Sequence, residues 1–143
     1  MHRKLFVTVL IMAALASLAV AVAAEKGPTG REMELYYVGL LFRGPAWTPG
    51  ETPEIMGLQK AHLANITRLA ESGKLVLAGP FVDDGDMAGM FVFRVSSLEE
   101  AQALCDSDPA VKAGRLRVEL HPWYSEKGIA VVQEVDGAAA PAR

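Results

Sequence analysis

The sequence predicts an α+β domain, and three observations carry that prediction. Residues 35–42 form an almost unbroken apolar and aromatic run, with the length and residue types of a buried strand. Downstream, stretches with apolar residues every three or four positions alternate with strand-like runs. Turn and cap residues stand at the boundaries between them. The resulting order over residues 35–124 is β-α-β-β-α-β, the ferredoxin-like pattern of two helices on one face of a four-stranded antiparallel sheet. The first strand is apolar throughout, so the opposite face needs cover as well. In so small a domain the expected cover is a second copy, which makes a symmetric homodimer the expected state.

Each element has a local reason. Residues 25–34 are polar, contain Gly27, Pro28 and Gly30, and read as part of a linker over 24–34. After the first strand, Gly44, Pro45, Pro49 and Gly50 make residues 43–51 a loop with Trp47 at its middle. Thr52-Pro53-Glu54 opens a helix: a cap, a first-turn proline and an acid at the positive end of the dipole. Ile55, Leu58, His62, Ile66 and Leu69 then mark one face, and Gly73 stops the helix. Residues 74–82 and 90–95 read as a hairpin joined by the Asp83-Asp84-Gly85-Asp86 turn. Ser97 and Glu100 form a capping box opening a second helix, whose apolar face carries Leu98, Ala101, Leu104 and Cys105. Asp108-Pro109 reads as cap plus first-turn proline of a short helical turn that Gly114 ends. Residues 115–121 alternate as a half-buried fourth strand. Residues 129–132 suggest a short extra strand, and the extension over 125–143 is expected to be partly disordered.

Composition narrows the function classes. The chain has 143 residues, 51% of them hydrophobic and 22% charged, which suits one globular domain and excludes a disordered one. The single cysteine, Cys105, excludes an intrachain disulfide and a Cys-rich zinc site; it reads as a small buried hydrophobe. A net charge of −3 gives no basic footprint for nucleic acid. At the N-terminus, Arg3 and Lys4 precede an apolar run to Val20 and the Ala21-Val22-Ala23 triplet. That basic, apolar, small order is the secretory signal pattern, predicting a signal peptide over 1–23 and a periplasmic or secreted protein. The alternative is an uncleaved segment, which would be the chain's only membrane attachment. Fourteen basic residues less Arg3 and Lys4 leave 12 against 17 acidic, so the processed chain carries −5.

The residues that bear chemistry are few. At 100° per residue, His62 falls inside the apolar stripe of the first helix, so its ring points at the sheet and needs a partner. One reading makes it a general acid or base whose tautomer a carboxylate fixes; the other makes it a core histidine held by a backbone carbonyl. The 83–86 turn supplies three carboxylates; one could orient His62, although turn chemistry accounts for at least two. Arg43 ends the first strand and suits an anion or a plain surface position, and Trp47 suits a lid or a contact pinning its loop to the dimer partner. Arg115, Arg117 and His121 share a strand face with Glu119; one reading has them line a pocket for an acidic substrate, the other makes that face a solvated or partner-facing surface. Asn65-Ile66-Thr67 matches a glycosylation acceptor but lies within a helix. No metal site and no cofactor is implied: no glycine-rich phosphate loop and no ligand cluster is present.

Several segments in order resemble the YciI-like (YCII-related) family. They are His62-Leu63, residues 72–81, the Asp83-Asp84-Gly85 turn, residues 97–101, residues 108–114 and His121-Pro122-Trp123. The resemblance covers 35–124 and implies a dimeric α+β barrel of ferredoxin-like subunits. It also implies a pocket holding a histidine and an aspartate, carried onto His62 and either Asp83 or Asp84. The function expected on this reading is an exported, cofactor-independent acid–base enzyme acting on a small organic molecule. Its chemistry would be of the isomerase, lyase or hydrolase kind, with His62 moving the proton and Arg43 and Trp47 binding substrate. The alternative is a non-catalytic dimer of the cell envelope that binds a small ligand or serves a structural role. The two differ in one respect: a catalytic His62 has a carboxylate in reach and faces an open pocket.

Overall fold

The computed structural model describes residues 25–130. The segment expected to be a signal peptide, the rest of the expected extra strand and the C-terminal tail lie outside the described residues. The elements run β1 (Met33–Arg43), α1 (Pro53–Glu71), β2 (Leu75–Pro80), β3 (Met87–Phe93), α2 (Leu98–Asp106), α3 (Pro109–Lys112) and β4 (Leu116–Glu126). The strands form one antiparallel sheet in the order β2-β3-β1-β4. This is the ferredoxin-like α+β fold.

The caps form as local chemistry requires. Thr52 Oγ1 accepts from the Ile55 N–H at 3.3 Å, and Pro53 occupies the first turn of α1. Ser97 Oγ accepts from the Glu100 N–H at 3.1 Å. The return bond of the expected capping box is displaced by one residue, since Glu100 Oε2 accepts from the Ser96 N–H and hydroxyl. Lys74 and then Ser96 hold the Glu100 carboxyl down at about 2.

The core lies between the helices and one sheet face. It comprises Tyr37 and Leu41 from β1, Leu69 from α1, Leu75, Phe91 and Phe93 from the hairpin, and Ala101 and Cys105 from α2. Burial, then the charges of Asp106 and Asp108, push the Cys105 thiol up to about 12, so it is protonated at neutral pH.

Several boundaries differ from expectation, β3 running Met87–Phe93 rather than 90–95 and β2 ending at Pro80 rather than 82. Met33 and Glu34, read as linker, begin β1, and the chain before them turns back through a Lys26–Glu32 bridge. The last strand runs on to Glu126, past Pro122. Proline lacks a ladder donor, but β4 is the edge of the sheet, where that loss is tolerated. The full length of β1 therefore pairs with β4, Met33 opposite Glu126 and Arg43 opposite Leu116. Ile129 and Ala130 form no strand. Instead, the Gly128 and Ile129 N–H groups donate to Tyr36 Oη on the helix-free face.

Candidate active site

α1 carries the centre of the site. His62, Asn65 and Leu69 are its buried residues, spaced three and four apart on one face. The polar pair turns toward α3, which packs against α1. Opposite His62, Asp108 begins α3. It is the N-cap, its Oδ1 accepting from the Ala110 N–H at 2.9 Å and the Val111 N–H at 3.4 Å. It is also completely buried.

Asp108 is the partner of His62. Both carboxylate oxygens lie 2.9 Å from His62 Nδ1. The Asn65 amide donates to Oδ2 at 2.9 Å, and Arg68 in turn donates to Asn65 Oδ1 at 2.6 Å. Burial alone raises the Asp108 carboxyl. The bonds from His62 and Asn65, the His62 charge and the Ala110 N–H outweigh that, and the net shift is downward. An ionised Asp108 accepts only, so Nδ1 is the protonated ring nitrogen. His62 is 8% exposed. No described group bonds its Nε2, yet no buried side-chain nitrogen or oxygen in the described chain lacks a partner. Nε2 therefore reaches open space.

That space is a cavity of about 420 Å³ between α1 and the sheet. Phe91 stacks beside His62, with ring centroids 6.1 Å apart. Leu41, Ile66 and Leu116 supply apolar walls, and the small residues Ala78, Gly79, Ala88 and Gly89 leave the volume unfilled. Trp47, Gln59 and Arg115 also line it.

The structure redistributes the expected residues. Asp83 and Asp84, expected to supply the carboxylate for His62, are exposed in the hairpin turn and do not bond it. Asp83 Oδ1 accepts from the Gly85 N–H at 3.2 Å, which is turn chemistry. Trp47 does line the cavity, whereas Arg43 stands outside the lining with its guanidinium 4.5 Å from the Trp47 ring centroid. Arg115 does not share a face with Arg117 and His121. It precedes β4, next to Gly114 at φ +69°, so strand alternation does not govern it, and it turns into the cavity. Asn65 is buried and bonded to Asp108, which leaves no room for a glycan.

Sequence reasoning missed Asp108 and Asn65 as site residues. The Asp-Pro pair is a sufficient cap signal, and the cap is real; its second role rests on a contact 46 residues away in the chain. Asn65 carried a usable signal, being three residues beyond His62 on the same face.

The family profile of the YCII-related domain matches residues 46–124. The chain belongs to the YCII-related domain family. Two curated relatives, the Protein YciI of Escherichia coli O6:H1 and that of Shigella flexneri, are each 40% identical over 67 residues. Each match spans 41% of this chain and 68% of the relative. Among solved structures, the chain is similar to 5-chloro-2-hydroxyhydroquinone dehydrochlorinase from Burkholderia phenoliruptrix AC1100, determined with 2,5-dihydroxybenzoquinone. That similarity has 26% identity and a TM-score of 0.44, covering 60% of this chain and 92% of that one. The YCII-related match contains α1, the hairpin, α2 and α3, and so includes His62 and Asp108 together.

Proposed function

We propose that this YCII-related protein is an acid–base enzyme acting on a small organic molecule. His62 Nε2 takes a proton from the substrate and returns it, while Asp108 holds the ring in the Nδ1–H tautomer and stabilises the imidazolium. The observation that carries this reading is the pairing of a fully buried carboxylate with a histidine whose other nitrogen opens on a cavity. A purely structural histidine gains nothing from an open Nε2. A general base needs its free nitrogen within reach of the reacting proton and its orientation fixed by a third group. The reaction is a proton transfer of the isomerase or elimination type. Asn65 acts through Asp108 and is a positioning residue.

The experiment is proton exchange in D2O. Small organic molecules with acidic C–H bonds are incubated with the protein, and loss of the C–H signal is followed by proton NMR. We expect exchange with at least one compound, and a loss of about a hundred-fold or more in His62→Gln, the scale of general-base catalysis. Binding without exchange, or exchange unchanged in His62→Gln, would replace this reading with the non-catalytic ligand-binding one.

Two further parts of the proposal concern context. The helix-free sheet face carries the half-buried Val38, Leu40, Leu77 and Met90 around a groove of about 370 Å³, bordered by Trp123 and Ile129. Such a face supports a homodimer, and light scattering on the purified protein tests it. The basic, apolar, small order of residues 1–23 supports export. Fractionation of the intact chain, beside one lacking those residues, tests that.

A further inference from the structure

The cavity beside His62 has a one-sided charge. Among the described residues, the ionisable side chains that line it are His62 and Arg115, and no carboxylate does. Asp108 is sealed behind the imidazole. The absence is selective, because acidic residues outnumber basic ones in the chain, 17 to 14.

Arg115 is built into this position. Its Nη1 donates to the Thr48 carbonyl at 3.0 Å, and its guanidinium lies 5.8 Å from the Trp47 ring centroid. The backbone fixes the two segments to each other: the Gly44 N–H donates to the Arg115 carbonyl at 2.8 Å and the Ala46 N–H to the Gly114 carbonyl at 2.9 Å. A Cβ on Gly44 would stand 2.2 Å from that Gly114 oxygen, so the approach requires glycine. The charge is also unspent. On the other sheet face Arg117 is neutralised by Glu119, whereas no described carboxylate lies within salt-bridge distance of Arg115. Arg115 and Gln59 border both the cavity and a neighbouring groove over residues 50–60, which places Arg115 at the mouth. The aromatic and aliphatic walls lie beyond it.

We infer that the cavity takes a small, flat organic anion, whose oxyanion pairs with the Arg115 guanidinium while its apolar body rests against Phe91 under Trp47. The inference rests on the acid–base reading for what then happens to the molecule, but not for its charge. A planar guanidinium pairs with a carboxylate or a delocalised enolate through two parallel bonds. It discriminates against a neutral isostere because the neutral group forfeits the charge-assisted bond. Arg115 is thus a specificity determinant, and Trp47 covers the bound molecule.

The test is binding of benzoate and of benzamide, its neutral isostere. It reads Trp47 fluorescence in the Trp123→Phe protein, where Trp47 is the remaining tryptophan. We expect benzoate to bind at least about ten-fold more tightly than benzamide, on the scale of a charge-assisted bond. Arg115→Gln should abolish that preference, Arg115→Lys should keep part of it, and Arg117→Gln should leave it unchanged. Equal affinities, no binding of either probe, or an unchanged preference in Arg115→Gln would each overturn the inference. The exchange experiment fails separately. His62-dependent exchange confined to neutral molecules would sink the anion while keeping the acid–base role. A benzoate preference without exchange would keep the anion and sink the acid–base role.

Discussion

Two acidic turns, residues 83–86 and residues 107–109, have opposite fates. The first holds three aspartates, caps a hairpin and faces water; next to it Val82 is 97% exposed. The second holds one aspartate with no exposed surface, bonded to His62, Asn65 and two backbone N–H groups. A carboxylate gains chemical leverage from where the fold puts it, not from how many stand together. In water the field of each Asp in the first turn is screened within about 10 Å at moderate salt. Asp108 acts across 2.9 Å with no surface of its own in water.

The largest expected effect that would break this comparison is on Asp108. Asp108→Ala removes a buried carboxylate hydrogen-bonded to His62 and Asn65 and also a helix cap. We expect it to lower unfolding stability by about 2–5 kcal/mol, the sum of lost charge-assisted bonds and a lost cap, read by urea denaturation. Asp108→Asn retains a cap-competent side chain, so it separates the two losses. If Asp108→Ala costs no more than an exposed aspartate does, the turns are equivalent and the site is misplaced.

Acid should sharpen the contrast. The Asp108 carboxyl is depressed in the folded protein, so its contribution is fully present above the unfolded carboxylate value, near ~3.9. It is lost as pH falls through the lower folded value, where the proton binds both states. The stability difference between the wild-type protein and Asp108→Asn should therefore shrink as pH falls below about 4. Urea midpoints measured below that pH check it; a gap that grew there would reverse the assigned direction.

A smaller effect belongs to Asn65. Its amide is one of the donors that hold Asp108 ionised. Asn65→Ala should cost about 1–3 kcal/mol, the range for stranding a buried acceptor, and should slow exchange less than His62→Gln does. Asn65→Asp sets a second carboxylate against the first and should be the worse substitution.

The smallest effect is the control. The double variant Asp83→Asn, Asp84→Asn should stay within about 0.5 kcal/mol of the parent and leave proton exchange unchanged. A loss of exchange there would return the catalytic carboxylate to the hairpin turn.

What the sequence determined by itself is the part governed by near neighbours. Thr52-Pro53, Ser97-Glu100 and Asp108-Pro109 start helices because a cap bonds N–H groups two or three residues away. The stripe through Ile55, His62 and Leu69 turned His62 inward because helical periodicity is local geometry. The β-α-β-β-α-β succession and the hairpin between β2 and β3 followed from apolar runs and the turn residues between them. The tertiary structure alone decided which carboxylate meets that histidine. α1 and α3 are brought together by packing, so Asp108 reaches across 46 residues while a turn only 21 residues from His62 stays in solvent. It likewise decided the face of Arg115, because the Gly114 backbone turn, fixed to the Trp47 loop, overrides the alternation that strand residues obey. Caps and stripes need only the chain's own next turn. A buried histidine–carboxylate hydrogen bond and a one-sided cavity need two distant segments at one place.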